Sequence, residues 1–451
     1  MNPTPRAAAL ALLTAVEQGA QTLDQAMDRF HRHSRYDRRD AAFVTALVYG
    51  VLRWRNRLDG IIGEISSTPL KKMDREVLAI LRLGLYQMLF MDRVPNAAAV
   101  HTSVELTKTL KKKWLSGFVN GVLRNALRRL EDLRQPPTGK DPVARLVIAA
   151  SMPEWLVRRW IDQFGVQEAE ALCRACNRIP PLTLRTNTLK IERSALLTCL
   201  ETAAKVVRPT PYTPEGICLE DLNAALFDST AFKKGWFQVQ DEAAQAVGWL
   251  LAPQPGQTVL DACAGLGGKT AHLAALMENS GSITAIDRDG RKLDKLSREM
   301  QRLGIDIVAP RAIDLLDNGW PEGLPTRFDR ILLDAPCSGL GVIRRNPDTK
   351  WSRTPEDIER SARRQHALLE KTAELLKPDG RLVYAVCSTE PEETRGVIKS
   401  FLKDRPDFGI DDALPGMPPP LQPLLDRRGR LLALPHRHGT DGFFAVRLQR
   451  R

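Results

Sequence analysis

The stretch Ile331-Leu332-Leu333-Asp334-Ala335-Pro336-Cys337-Ser338-Gly339 constrains the chain more than any other. An apolar run that stops at an acid, a proline, a thiol and a glycine has the form of a buried parallel strand leaving the carboxyl edge of an α/β sheet, where ligands bind. Asp334 and Cys337 are therefore expected in a cleft. The segment Gly380 to Thr389 repeats the form, with an apolar strand ending at Cys387. Either thiol alone reads most simply as a small buried hydrophobe, because free cysteine is among the most buried residue types. Two of them at strand exits, near a glycine-rich turn, point instead to covalent chemistry on a substrate.

From about residue 237 strand and helix alternate, the mark of a parallel sheet. Thr258 to Cys263 reads as a strand, Gly265-Leu266-Gly267-Gly268 as a tight turn and Lys269 to Met277 as a helix; the next strand, Ser282 to Asp287, ends in an acid 19 residues after Gly268. Glycines let backbone approach a ligand, and a carboxylate at that distance reaches ribose hydroxyls, so this is a nucleoside site. A P-loop would need glycine at position 263, where Cys263 stands, so the Gly-Lys-Thr ending is a decoy. A dinucleotide fingerprint from Gly265 would want glycine or alanine where Thr270 stands. S-adenosylmethionine fits better: it carries a ribose and a sulfonium but no pyrophosphate, and so needs a glycine turn and acids without a phosphate cradle. The strand-end acids Asp287, Asp314 and Asp334 could supply them, although Asp314 reads almost as well as a plain turn or cap residue.

Residues 1 to about 130 read as all helix, with Thr22 and Gln25 as a capping box and apolar faces at Phe43, Val44, Leu47, Val48 and Val51, and at Val77, Leu78, Leu81 and Leu85. The apolar run after Arg6 passes into Thr14, Glu17 and Gln18 with helical spacing and is a first helix, not a signal peptide. Arg53, Arg55, Arg57, Lys108, Lys111 to Lys113, Arg124, Arg128 and Arg129, interleaved with Trp54 and Trp114, are expected to form a basic surface able to track a phosphate backbone. A net charge of +12 agrees with a polyanionic partner. Residues 134–142 have linker composition, and a small α+β unit with a strand at Leu182 to Leu189 follows. The proline-rich stretch from Asp404 to Pro423 reads as a long surface loop before a last strand at Phe443 to Leu448.

No window approaches the roughly 18 apolar residues of a membrane span, so no membrane association is expected. Seven cysteines in 451 residues are an odd and sparse set, which argues for a reducing compartment, the cytoplasm, and against a disulfide scaffold. Cys173 and Cys176 form a C-x-x-C without a second pair or a histidine cluster, so helix packing and no metal site is the expectation.

Two thiols beside a sulfonium donor restrict the methyl acceptor. Carbon 5 of cytosine is a poor nucleophile until a thiolate adds at carbon 6 and turns the ring into an enamine, which divides one hard step into two easier ones. Asp334 is suitably placed to assist at ring nitrogen 3.

Asp334 to Gly339, Val386-Cys387-Ser388 and Cys263-Ala264-Gly265-Leu266-Gly267-Gly268-Lys269-Thr270 together resemble the RNA 5-methylcytosine methyltransferases. The helical region before residue 130 is similar to the NusB antitermination fold, and that fusion resembles the RsmB or Sun branch of bacterial 16S ribosomal RNA enzymes. The stretch Phe237 to Gln245 resembles the entry to its catalytic domain. The resemblance implies that Cys387 is the nucleophile, that Cys337 assists product release and that Lys269 lies near cofactor and target base. It also implies that Cys263, Ala264, Gly265, Leu266, Gly267, Gly268 and Lys269, with Asp287, Asp314 and Asp334, hold S-adenosylmethionine. Three positions depart from the usual pattern: Gly265-Leu266 in the A-A-P-G-G-K-T loop, Val386 for threonine before the nucleophile, and Thr394 for asparagine after the acidic pair.

The fold class expected is multidomain α and α/β. Its parts are a NusB-like, RNA-binding helical bundle over 1–133, a small α+β domain over 143–236 and a Rossmann-like methyltransferase domain over 237–451. The leading function is methylation of carbon 5 of a cytosine in 16S ribosomal RNA. A transfer RNA enzyme of the same chemistry and a non-catalytic RNA-binding or antitermination protein are the alternatives. A DNA enzyme is disfavoured because, by resemblance, that class does not need Cys387.

Overall fold

Helix starts in the N-terminal region are fixed by short polar side chains. Thr22 accepts from the Gln25 amide while the Gln25 side chain accepts from the Thr22 amide, the expected capping box for Leu23–His33. Asp37 caps Arg38–Arg53 through the Asp40 amide, and Asp74 caps Arg75–Phe90 through the amides of Glu76 and Val77. The computed structural model in which these caps are seen describes residues 3–222, 226–317, 320–414 and 416–450, which fall into two compact units.

The first unit comprises the chain up to Arg178 together with the later segment Ile343–Ser352. Its helices Pro5–Glu17, Leu23–His33, Arg38–Arg53, Arg55–Ile65, Arg75–Phe90, Asn96–Thr109 and Ser116–Arg128 enclose one core, in which Leu13, Leu47, Leu58, Ile62, Ile80 and Leu123 are fully buried. Cutting one such leucine to alanine costs about 2–5 kcal/mol. Arg82 crosses this core and binds Asp59 and Glu17 at 2.6 Å each; removing one partner would leave a buried charge unpaired, a loss of roughly 3–5 kcal/mol.

Part of the expected basic surface lies inside. Arg53 and Arg57 are buried: Arg53 donates to the Arg344 carbonyl at 2.8 Å, and Arg57 donates to the carbonyls of Leu133, Arg134 and Gln135. Trp54 stacks on Phe90 with centroids 4.8 Å apart. A guanidinium has five donors, and orphan carbonyls at helix ends satisfy them as well as phosphates do. The exposed members of the set are Lys108, Lys111, Lys113, Trp114, Arg124 and Arg128. Among the described residues no helix is long and apolar enough to cross a membrane.

The second unit, Ile179–Val342 with Arg353 to the end, carries two sheets. β1 (Leu182–Thr186), β2 (Ala204–Pro209), β3 (Gly216–Leu222) and β4 (Phe237–Val239) form an antiparallel sheet in the order β2-β3-β1-β4, which packs Leu184, Ile217, Leu219 and Phe237 against Leu196 and Leu200 of the helix Arg193–Leu200.

The larger sheet contains β5 (Thr258–Asp261), β6 (Ser282–Asp287), β7 (Val308–Ala312), β8 (Phe328–Asp334), β9 (Leu376–Val386), β10 (Phe408–Ile410), β11 (Leu431–Ala433) and β12 (Phe443–Arg450). Its order is β10-β12-β9-β8-β5-β6-β7, parallel from β7 to β9 and antiparallel at β12 and β10, with β11 beside β12. Alternate residues enter alternate cores: Val259, Leu332 and Val383 pack on one face, Leu260, Leu333 and Tyr384 on the other. The order reverses between β5 and β8, the switch point where ligands bind in such sheets.

The proline-rich stretch is more structured than a surface loop. It contains β10 and a 3₁₀ helix, Pro419–Leu424, whose Leu421 and Leu424 are buried in the sheet's core; Pro415 lies outside the described residues. Leucines spaced between prolines give no helical or strand period, so the burial is invisible in the pattern.

Candidate active site

The two thiols are brought together by strand register. Asp334 of β8 lies opposite Ala385 of β9, and the chains run on until Cys337 and Cys387 meet with their sulfurs 3.2 Å apart. The backbone beyond Cys337 is held down by Gly341, whose amide donates to the Cys387 carbonyl at 3.0 Å. A Cβ at Gly341 would sit 2.0 Å from the Gly442 oxygen, so only glycine allows this approach.

Lys269 arrives from the helix Gly268–Leu276. Its Nζ donates to Asp334 Oδ2 at 2.7 Å and lies 4.8 Å from the centre of the Phe443 ring. Burial works against the ammonium, but Asp334, by charge and hydrogen bond, and the nearby Cys387 outweigh it and raise the lysine above its ordinary value. Thr270 donates to Asp261 at 2.7 Å. Burial pushes the Asp261 carboxyl up to about 7; the Thr270 hydrogen bond opposes the shift and the Asp334 charge adds to it. Both side chains of the Gly-Lys-Thr ending are thus committed to inner carboxylates, which leaves nothing to grip a phosphate and metal.

Cys337 lies well above the usual thiol range because of its hydrogen bond with Cys387, its burial, and the charges of Cys387 and Glu393. Glu393, fully buried, accepts from the Ser338 amide at 2.7 Å, the Ser338 hydroxyl at 2.6 Å and Gln365 Nε2 at 3.1 Å. Gln365 also donates to the Pro336 carbonyl, and the Tyr384 hydroxyl donates to Gln365 and to the Glu393 carbonyl. Sequence reasoning missed Glu393, Gln365, Tyr384 and Phe443; the one available signal was the acid pair Glu392-Glu393 shortly after the second thiol.

At the glycine turn, the Gly265 amide donates to Asp287 Oδ2 at 3.1 Å and the Asp289 amide to Asp287 Oδ1 at 2.9 Å. Each carboxylate oxygen keeps a further lone pair for a ribose hydroxyl. Gly265 has φ +56°, and a Cβ at Gly265 or Gly268 would meet nothing within 4 Å, so the backbone there faces open space. Leu266 is exposed, Ala264 is buried, and burial, followed by the charges of Asp261, Asp334 and Asp287, pushes the Cys263 thiol up. Asp314 follows the end of β7 and accepts from the Leu316 amide at 3.1 Å, a turn contact. A nucleoside with a sulfonium fits this turn. Elsewhere on the unit His366, Glu370 and Asp404 bring three ligand-type atoms within 4.8 Å of one another, with Arg405 3.9 Å from Glu370.

A doubly wound sheet with a glycine turn and a strand-end acid at its switch point is a Rossmann-like, nucleoside-binding domain. Residues 248–449 match the family described as 16S rRNA methyltransferase RsmB/F, residues 152–224 its ferredoxin-like domain, and residues 3–128 the NusB family. The chain is 37% identical to the probable ribosomal RNA small subunit methyltransferase B of Bacillus subtilis over 98% of each chain, and 38% identical to the ribosomal RNA small subunit methyltransferase B of Pseudomonas putida, again over 98% of each. The crystal structure of PH0851 superposes with a TM-score of 0.78 at 28% identity over the whole of both chains. The chain belongs to the family of ribosomal RNA small subunit methyltransferases B.

Proposed function

We propose that the protein methylates carbon 5 of a cytosine in 16S ribosomal RNA, through a covalent bond between Cys387 and carbon 6 of the base. The observation that carries this reading is the thiol pair at 3.2 Å beside the Lys269–Asp334 ion pair. S-adenosylmethionine supplies an electrophilic methyl group on its sulfonium. Asp287 and the turn Cys263 to Gly268 hold that cofactor; Asp314 and Asp334 complete the set of acids.

The Cys387 thiolate adds to carbon 6, and the electron pair of the 5,6 double bond makes carbon 5 nucleophilic. Charge that develops at ring nitrogen 3 is met by the Lys269–Asp334 pair, where the ammonium holds the proton and Asp334 can pass it on. After carbon 5 is methylated, its proton passes to a water molecule, the electron pair of that C–H bond re-forms the 5,6 double bond, and the pair of the breaking sulfur–carbon bond returns to Cys387 as thiolate. Cys337, held as a thiol, assists this release.

The RNA backbone is expected on the first unit's exposed Lys108, Lys111, Lys113, Arg124 and Arg128, with Trp114, 75% exposed, as a stacking platform.

Labelled 16S RNA on denaturing gels, with bisulfite sequencing of the product, tests the assignment. Cys387→Ala should lose both methylation and any denaturant-resistant adduct. Cys337→Ala should methylate and then accumulate that adduct, and the double variant should lose it. An adduct in Cys387→Ala, with none in Cys337→Ala, would reverse the two roles. Methylation at the parental rate in both single variants would sink the covalent mechanism.

A further inference from the structure

Two cysteines whose sulfurs lie 3.2 Å apart are joined by one S–H···S contact, and the pair serves as a nucleophile only if the correct sulfur is the one that gives up its proton. The groups around the pair are arranged unequally. Lys269, held by Asp334, lies on the Cys387 side and gains from a negative charge there. The Glu393 carboxylate lies on the Cys337 side, buried, and its three hydrogen bonds come from the neutral Ser338 amide, Ser338 hydroxyl and Gln365 amide. The two residues flanking Cys337 are both tied to this network: Ser338 directly, and Pro336 through Gln365. Glu393 sits in an i→i+5 turn, Glu392–Gly396, a rare backbone form that concentrates at functional sites.

Resting on the covalent reading above, we propose that Glu393 is a positioning residue: its buried charge keeps the proton on Cys337 and the thiolate on Cys387, while its hydrogen bonds fix Cys337 in line with its partner. A negative charge disfavours a second one nearby, so the thiol closer to Glu393 remains protonated. Around the pair, Lys269 interacts with Cys387 and is bound by Asp334, Tyr384 interacts with Cys337, Arg353 donates to the Ser338 carbonyl, and the buried Glu390 follows Cys387 by three residues. Glu393 joins a buried carboxyl to the Ser338 amide immediately beyond Cys337. No bond forms or breaks at Glu393; the Cys387 proton is lost to solvent and the Cys337 proton stays on its own sulfur.

Limiting iodoacetamide, with the labelled site read by peptide mass spectrometry, reports which sulfur carries the thiolate. In the parent protein Cys387 should be labelled at least about ten-fold faster than Cys337. Glu393→Gln keeps the volume and removes the charge, so the ratio should fall several-fold and kcat should fall with it, while KM for RNA and cofactor affinity stay within about two-fold. Glu393→Asp should recover part of the ratio. Ser338→Ala, which loses a hydrogen bond but leaves the charge, should keep it. A purely structural role would lower thermal stability in Glu393→Gln without changing the ratio, and that result overturns the proposal. So does equal labelling of the two thiols in the parent, a measurement that needs no variant to fold. If Cys387→Ala is inactive while Glu393→Gln labels like the parent, only the positioning role fails. If Cys387→Ala methylates normally, the covalent reading fails and this proposal with it.

Discussion

The chain holds two pairs of neighbouring cysteines, each with a lysine beside it, and the two lysines are held in opposite ways. Cys173 and Cys176 stand one turn apart on the helix Val166–Cys176 of the first unit, both buried; burial, and then Cys176, pushes the Cys173 thiol up. Their lysine, Lys350, donates to two neutral acceptors, the Arg53 carbonyl at 2.9 Å and Asn177 Oδ1 at 3.1 Å, and burial pushes it down to about 7. Lys269 is less deeply placed, and a carboxylate 2.7 Å away keeps it charged. A lysine beside thiols keeps its charge where a carboxylate holds its proton in place. Without one, lysine and thiols alike revert to packing material.

The largest expected effect breaks this difference directly. Asp334→Asn removes the charge that holds Lys269 as an ammonium, and single-turnover methyl transfer should slow by about 10²–10⁴-fold, the range for a displaced acid–base group. A rate near that of the parent would mean that the ion pair is structural. Asp287→Ala asks whether the acids of this site do more than hold a lysine. Calorimetry should find S-adenosylmethionine binding weaker by roughly 1.5–3 kcal/mol, the worth of a hydrogen bond to a charged group. Unchanged affinity in the folded variant would take Asp287 out of the site.

Lys350 gives a smaller and pH-dependent effect. Its pKa falls from 10.5 in the unfolded chain to about 7 on folding, so between those values the unfolded state binds the extra proton. Stability contributed at this position is therefore fully present above about 10.5 and is lost as pH falls through that window toward 7. Lys350→Met should abolish this contribution, roughly 1 kcal/mol per pH unit. Urea titrations of parent and variant at pH 7.5 and 9.5 measure it, and parallel curves would show that Lys350 is charged in the fold. The smallest effect is expected from Cys173→Val. It should leave methylation within about two-fold and cost under about 1.5 kcal/mol, as volume-conserving core changes do. A large loss of activity would give the helical pair a role beyond packing.

What the sequence discloses and what it hides follow the same division. The strand ends carrying Asp334, Cys337 and Cys387 were legible because apolar strands that stop at polar residues have few other readings. The capping box at Thr22 was legible because both partners are local. Arg53 and Arg57 were misread as surface because their partners, carbonyls at Arg344 and at 133–135, are distant in sequence or have no side-chain signature. Glu393 escaped notice for a related reason: its partners Ser338 and Gln365 come from segments that only the β8–β9 pairing brings near. β3 and β4 were likewise hidden, since β3 finds its pattern only between β2 and β1, and β4 only against β1.

The segment Ile343–Ser352 has a consequence for how the protein is made. It leaves the second unit's chain just after the Cys337 motif, and it belongs to the first unit, where Lys350 is fully buried and the Trp351 indole donates to the Leu52 carbonyl at 2.6 Å. Synthesis runs from the N-terminus, and domains generally fold in that order. Here the helical unit, although translated first, lacks part of its interior until Ser352 has emerged. The ribosome must therefore deliver β5 to β8 and Cys337 before the opening domain can close, and a nascent chain arrested short of residue 343 would carry a helical bundle with an unfilled seam.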